Sequence, residues 1–301
     1  MPIRRRGPDR CRPAASPARF RGPTNSEGPV LTTVSIAVAS LGSLAFGAAL
    51  FVVLIAAFEG GRRTGLRRAS EEAAREGGGV IIGSMLGLLG FVLALTLSYA
   101  SARFEERRQG TLAEANAIGT AWLRAMAVGH PKGPEIAAQI REYADLRLAF
   151  VQAEARSPEL AEINRRTATL QTGIWRNLTV ITQERTDAVA GYLMASLNEA
   201  FDRATASRFG FALGVPPQIL LLITSMPTIA LAALGFHLGL RRDTERLLPA
   251  VLSLMLTAVV TLVLDLGAPR FGDLRPSARA YEWTIGGFAP GPGGPPTQAP
   301  R

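Results

Sequence analysis

The stretch VIIGSMLGLLGFVLALTLSYASARFEERRQGTLAEANAIGTAWLRAM, Val80 to Met126, decides the fold. Its first part, Val80 to Ala102, is 23 residues without a charge. A helix rises 1.5 Å per residue, so about 20 apolar residues cross a hydrocarbon core. Arg103 then opens the run RFEERR, in which Arg103, Arg107 and Arg108 are placed to reach lipid headgroups. No proline and no turn signal interrupts the stretch. The reading is one rod, a membrane span that continues as a charged amphipathic helix.

Three further apolar blocks flank this rod. Leu31–Phe58 is too long for the apolar stretch of about 7–15 residues of a secretory signal, so it reads as a retained first span. Gly42 and Gly47 are expected to allow close helix approach there. Glu59–Gly79 reads as a charged connection. Residues 216–240 form the third span, which Pro227 should kink. Residues 248–266 form the fourth, with Asp265 near its end, where pairing with an arginine such as Arg270 lowers the cost of the charge. In the second span Gly83, Gly87, Gly90 and Ala94 recur at steps of three and four and share one face. That face is either a groove for another helix or a stripe lining a water-filled path in an oligomer.

Between the second and third spans, residues 103–208 read as helical throughout. On Thr111–Met126 the face Leu112, Ala115, Gly119, Trp122 and Met126 is expected to be buried, with Glu114, Asn116 and Thr120 close to it. Gly119 in mid-helix costs about 1 kcal/mol relative to Ala, so a packing reason is expected. GHPKGP, 129–134, is a loop. Glu135–Arg156 is the next helix, burying Ile136, Ile140, Tyr143, Leu146 or Arg147, and Phe150. Ser157 before Pro158 caps a helix reaching about Thr182, and Thr186 and Asp187 can cap one over Ala188–Arg208. On the latter, Asn198 with Asp202 and Glu199 with Arg203 stand four apart. The fold class expected is all-α, an integral membrane protein with four transmembrane helices and a helical cytosolic insertion. Residues 1–30 read as a disordered basic tail, or as residues preceding a natural start near Val30. Residues 267–301 read as a tail, disordered from about 286.

Composition agrees with a membrane reading. The 301 residues are 48% apolar and carry a net charge of +9, and the arginines flank the apolar blocks. That placement, with no recognised nucleic-acid motif, argues against nucleic acid as partner. Cys11 is the only cysteine, so no intrachain disulfide forms. His130 and His237 stand apart with no metal-ligand spacing, and Gly77–Gly79 lack the lysine and strand of a phosphate loop. No metal, no cofactor and no enzymatic activity is expected. Four spans place both termini and the helical insertion on one side. Ten arginines near span ends lie on that side against eight on the other, which favours the cytoplasm for it, in the plasma (inner) membrane.

GLLGFVLALTLSYASARFEERRQGTLAEANAIGTAWLRA is similar to the signature of the bacterial bestrophin-like domain family, whose members show a run of the form GLLLGF, RFDDRR and EANAIGTAYLRA. YLMASLNEAFD followed by VPP, and LVLDLGAPRFGDLR, resemble two further family segments. In the last, Gly267 stands where the family usually has a second acid. The resemblance spans roughly residues 45–280. It implies four spans with a large helical insertion, loosely like the pentameric bestrophin anion channels. It also implies interest in Arg103, Arg107, Arg108, Glu114, Asn116, Gly119, Thr120, Asn198, Glu199, Asp202 and Asp265. Two functional expectations stand side by side. One is a homo-oligomeric ion channel, with anion preference from inward arginines. The other is a non-conducting scaffold or sensor whose helical insertion binds an unidentified soluble partner.

Overall fold

The computed structural model describes residues 29–68, 78–155, 157–270 and 274–288, with backbone alone for 29–41. Most of the expected basic tail and the chain beyond Phe288 lie outside the described residues. The described residues form eight helices and no strand: α1 (Pro29–Arg67), α2 (Gly78–Ala127), α3 (Lys132–Gln152), α4 (Pro158–Glu184), α5 (Ala188–Ala212), α6 (Pro217–Leu240), α7 (Leu247–Gly267) and α8 (Arg279–Gly286). Four of the helical stretches are long and apolar enough to cross a membrane. They build one apolar core around Leu54, Leu89, Ile223, Leu231 and Val260. A second core, around Ile118, Ile136, Tyr143, Ile174 and Leu193, lies among α2, α3, α4, α5 and α8.

α2 belongs to both cores. It is a single element of 50 residues, giving Leu89, Leu93 and Ala100 to the first core and Ala115, Ile118, Ala121 and Ala125 to the second. The continuous rod read from the sequence is present, and it starts two residues before Val80. Its buried face differs from the expected one. Leu112 and Met126 are exposed, while Thr111, Glu114, Ile118, Ala121 and Ala125 are buried. Glu114, read as close to the expected face, lies within the buried one, where Arg147 of α3 meets it.

α1 corrects the first span. Helix runs from Pro29 to Arg67, with a break at Gly42, whose φ of 73° a glycine tolerates. The membrane-length part is Gly42–Arg67, so residues 59–67 of the expected connection are helix. Gly42 makes no close approach to another helix, and nothing lies within 4 Å of where its Cβ would be. Gly47 does pack, its Cβ position 3.1 Å from the Thr261 hydroxyl oxygen of α7. The tightest helix contact is elsewhere. Gly61 and Gly65 of α1 face the Ala232 and Phe236 carbonyl oxygens of α6, and Gly235 and Gly239 of α6 face those of Phe58 and Arg62. Partners rise together along both helices, so α1 and α6 run parallel. Arg62 Nε donates to the Asp243 carbonyl at 3.5 Å, joining the end of α1 to the α6–α7 connection.

α6 runs through Pro227 as one element. The Thr224 hydroxyl donates to the Leu220 carbonyl at 2.8 Å and the Ser225 hydroxyl to that of Leu222 at 3.4 Å. The expected caps are in place: Ser157 Oγ accepts from the Leu160 N–H at 3.1 Å and Asp187 Oδ1 from that of Ala190 at 3.0 Å. α3 ends at Gln152, four residues before the expected Arg156. The expected C-terminal tail holds a helix instead. α8 buries Tyr281 in the second core, and Phe288 stacks on Trp122 with ring centroids 4.9 Å apart. The low-complexity composition around Gly286 masked this short anchor.

Candidate functional site at the junction of the two cores

The second core is built around a charge pair. Arg147 Nε donates to Glu114 Oε1, and Arg147 Nη2 donates to Glu114 Oε2 at 3.2 Å. Both residues are closed to solvent, at 0% exposure for Glu114 and 1% for Arg147. The two-point contact matches guanidinium to carboxylate geometry. Burial works against the Arg147 charge, and the attraction and hydrogen bonds of Glu114 outweigh it, so its pKa is raised. Tyr143 and Tyr281 enclose the pair. Burial, the largest cause, pushes the Tyr143 hydroxyl up to about 12, and that hydroxyl accepts from Gln171 Nε2 at 3.2 Å. Burial and the nearby Glu114 charge raise Tyr281 as well. Its hydroxyl lies beside Glu114 without closing a well-formed hydrogen bond among the described residues.

From this pair a stack of cations and rings leads to the first core. The Arg147 guanidinium carbon lies 4.2 Å from the Phe150 ring centre, and that of Arg270 lies 4.9 Å from the same ring and 5.0 Å from Phe211. Such contacts are worth about 0.5–2 kcal/mol each. Arg270 also donates to the Phe150 carbonyl at 2.9 Å and to that of Ala153, satisfying the C-terminus of α3. Burial, helped by the Arg275 and Arg147 charges, pulls its pKa down to about 10. Two nitrogens of Arg270, the arginine offered for Asp265, serve the end of α3. Asp265 is half-buried, close to the end of α7.

Arg107 closes the other helix end. Its Nη2 donates to the Leu266 carbonyl and its Nη1 to that of Gly267 at 3.5 Å, at the C-terminus of α7. Gly267 has its own reason. A Cβ there would lie 2.7 Å from Val215 Cγ2, so the start of α6 occupies the space an acidic side chain would need.

Between α2 and α5, next to this cap, is a cavity of about 370 Å³. Arg103, Arg107 and Arg203 line it together with Glu106, Ser207 and Phe211. Arg103 Nη1 donates to Glu106 Oε2 at 2.9 Å, and Arg203 reaches Glu199 Oε1 at 3.4 Å.

The residues singled out from the sequence therefore separate into several places. Arg103 and Arg107 meet at the cavity. Glu114 sits in the buried pair. Gly119 admits α8, its Cβ position 3.3 Å from Thr284 Cγ2. Gly83, Gly87, Gly90, Arg108, Asn116 and Thr120 lie on the solvent-open side of α2. There Arg108 donates to Glu105 at 2.7 and 2.8 Å, and the Thr120 hydroxyl donates to the Asn116 carbonyl at 3.0 Å. Asn198, Glu199 and Asp202 are exposed on α5, where Asn198 Nδ2 donates to Asp202 Oδ2 at 3.0 Å. Sequence reasoning missed Tyr281, named Arg270 without its role at the end of α3, and left Arg147 as one of two choices for the buried face. The signal for Arg147 was its place between Tyr143 and Phe150 on the apolar stripe, which asks for a buried acid elsewhere. Among the described residues no three His, Cys, Asp or Glu side chains group so as to hold a metal ion.

No family model, no curated protein and no solved structure matches the chain.

Proposed function

We propose that the chain is a multi-span protein of the bacterial plasma membrane that assembles with copies of itself along α2 and conducts ions through the resulting ring. The observation that carries this is the bareness of α2. Of the most apolar window of α2, 11% is buried, against 28% to 39% for the other three membrane-length helices. Among the described residues nothing lies within 4 Å of a Cβ placed on Gly83, Gly87 or Gly90. Bare small residues let a second helix backbone come close in lipid. On the polar extension, Leu112 and Leu123 stay exposed, a poor arrangement for an isolated stalk in water. One long helix bare on both lengths fits rotational symmetry about an axis beside it. The likeness to the bestrophin-like family points the same way. The helical insertion and both termini are assigned to the cytoplasm on the arginine bias.

Ion preference follows from which charges border the bare face. Arg103 and Arg107 turn toward α5 and α7, while Glu105 and Arg108 pair beside that face and cancel. The pore should discriminate only weakly between anions and cations, rather than prefer anions. Purified full-length protein in planar bilayers under a KCl gradient tests this. Discrete current steps with a reversal potential near zero are expected. A protein that inserts and stays silent contradicts conduction and favours a scaffold or sensor.

A further inference from the structure

Arg103 borders two spaces at once. One is the cavity between α2 and α5, where three arginines face one carboxylate, Glu106. The chain leaves these cations with capacity to spare. Arg107 is 7% exposed, and its Nε is a buried donor with no hydrogen-bond partner among the described residues. Arg203 makes a 3.4 Å contact with Glu199, and Arg103 uses Nη1 on Glu106, its guanidinium carbon lying 5.8 Å from the Tyr99 ring centre. The second space is a shallow crevice of about 10 Å³ between Thr96, Tyr99, Leu213, Val215 and Ile219, too small to enclose an acyl chain, and beside it the apolar part of α2 is open at Leu88, Leu95 and Tyr99.

The geometry points to a binding site for one anionic phospholipid, its phosphate among Arg103, Arg107 and Arg203 and its acyl chains against the open apolar surface of α2 at Leu88, Leu95 and Tyr99. Guanidinium groups hold phosphate oxygens through paired donors, and the surplus of positive charge favours an anionic over a zwitterionic headgroup. A free phosphate would fill the cavity and have no use for an exposed apolar surface beside the same arginine. The site lies where α2 gains its first charge after a 23-residue uncharged run, the depth at which a headgroup sits. The inference rests on the membrane placement of the four helices and not on self-assembly or conduction.

Native mass spectrometry of the full chain in mild detergent tests it, with phosphatidylglycerol, phosphatidylcholine and inorganic phosphate as separate probes. One phosphatidylglycerol should bind per chain, roughly tenfold or more tighter than phosphatidylcholine. Arg103→Gln with Arg203→Gln should weaken it by roughly tenfold or more, since each charged hydrogen bond lost is worth at least that factor. Arg63→Gln, exposed at the far end of α1, should leave it unchanged. If the double variant fails to fold, Leu88→Gln with Leu95→Gln decides, both being exposed. Wetting that surface should lower phosphatidylglycerol affinity and leave any phosphate binding intact. Equal binding of the two lipids, or an unaffected double variant, overturns the site. A chain that takes up inorganic phosphate and no lipid assigns the cavity to a soluble phosphate and overturns the lipid.

Discussion

Gly61 of α1 and Ala232 of α6 pass so close that a Cβ on Gly61 would lie 2.0 Å from the Ala232 carbonyl oxygen. The mirror contact, Gly235 against the Phe58 carbonyl, is also 2.0 Å. Neither obstacle is a side chain that can swing aside, because both are backbone. Replacing Gly61 or Gly235 by Ala should therefore push α1 and α6 apart and cost about 3 kcal/mol or more, at the upper end of overpacking effects. Thermal unfolding followed by helical circular dichroism in detergent reads the loss. Gly60→Ala is the control, since nothing lies within 4 Å of its Cβ position.

The buried pair makes a prediction of different form. Glu114→Gln leaves the Arg147 charge enclosed with its counter-charge removed, and should destabilise by about 3–5 kcal/mol. Removing both charges, as Glu114→Leu with Arg147→Met, should recover most of that loss, because the desolvation of both ions disappears with their attraction. A double-mutant cycle on chemical unfolding of the full chain measures the difference. Additive losses would mean the two residues act separately.

Tyr143 sets an alkaline limit. Its folded pKa, pushed up to about 12 by burial, lies above the unfolded value near 10. The neutral hydroxyl is thus favoured by folding, so its contribution is fully present below pH 10 and is lost as pH rises toward 12. The loss from Tyr143 alone is on the order of 2 kcal/mol, with Tyr281 adding in the same direction. Unfolding midpoints between pH 9 and 12 should fall steeply in the natural chain and less steeply in Tyr143→Phe. Parallel curves would contradict the assignment.

Helix existence was legible wherever apolar period and caps agreed, as at Ser157 and Asp187, and the unbroken α2 followed from the absence of Pro and turn signals across Ala102–Arg103. Three things were not legible. Gly61 and Gly65 sit among charged residues, which read as a connection and hid a helix contact. Glu114 read as lying close to the apolar face of its helix, but its pairing was hidden because its partner Arg147 is 33 residues away. α8 is eight residues long in a segment rich in Gly and Pro, and only the pocket waiting for Tyr281 and Phe288 gives it a place. The candidate site suffered most, since its arginines come from α2 and α5, which no local pattern brings together.

Gly119 ties that last helix to α2. Gly119→Ala gains about 1 kcal/mol of helix propensity and crowds Thr284, so the net change should be small. Gly119→Leu should eject α8, raising the quenching of Trp122 by water-soluble quenchers as Phe288 leaves its ring. Unchanged quenching in the Leu variant would show that α8 is held elsewhere.

Self-assembly along α2 is measured most directly by the mass of the full chain in mild detergent, natural against Gly87→Leu. Inside one chain the Leu side chain meets open space at Gly87, so the fold and its helical signal should persist. The natural chain should appear as a closed ring of three or more copies, and Gly87→Leu as smaller species. A natural chain of single-copy mass, or a Leu variant with the same mass as the natural assembly, would contradict the account.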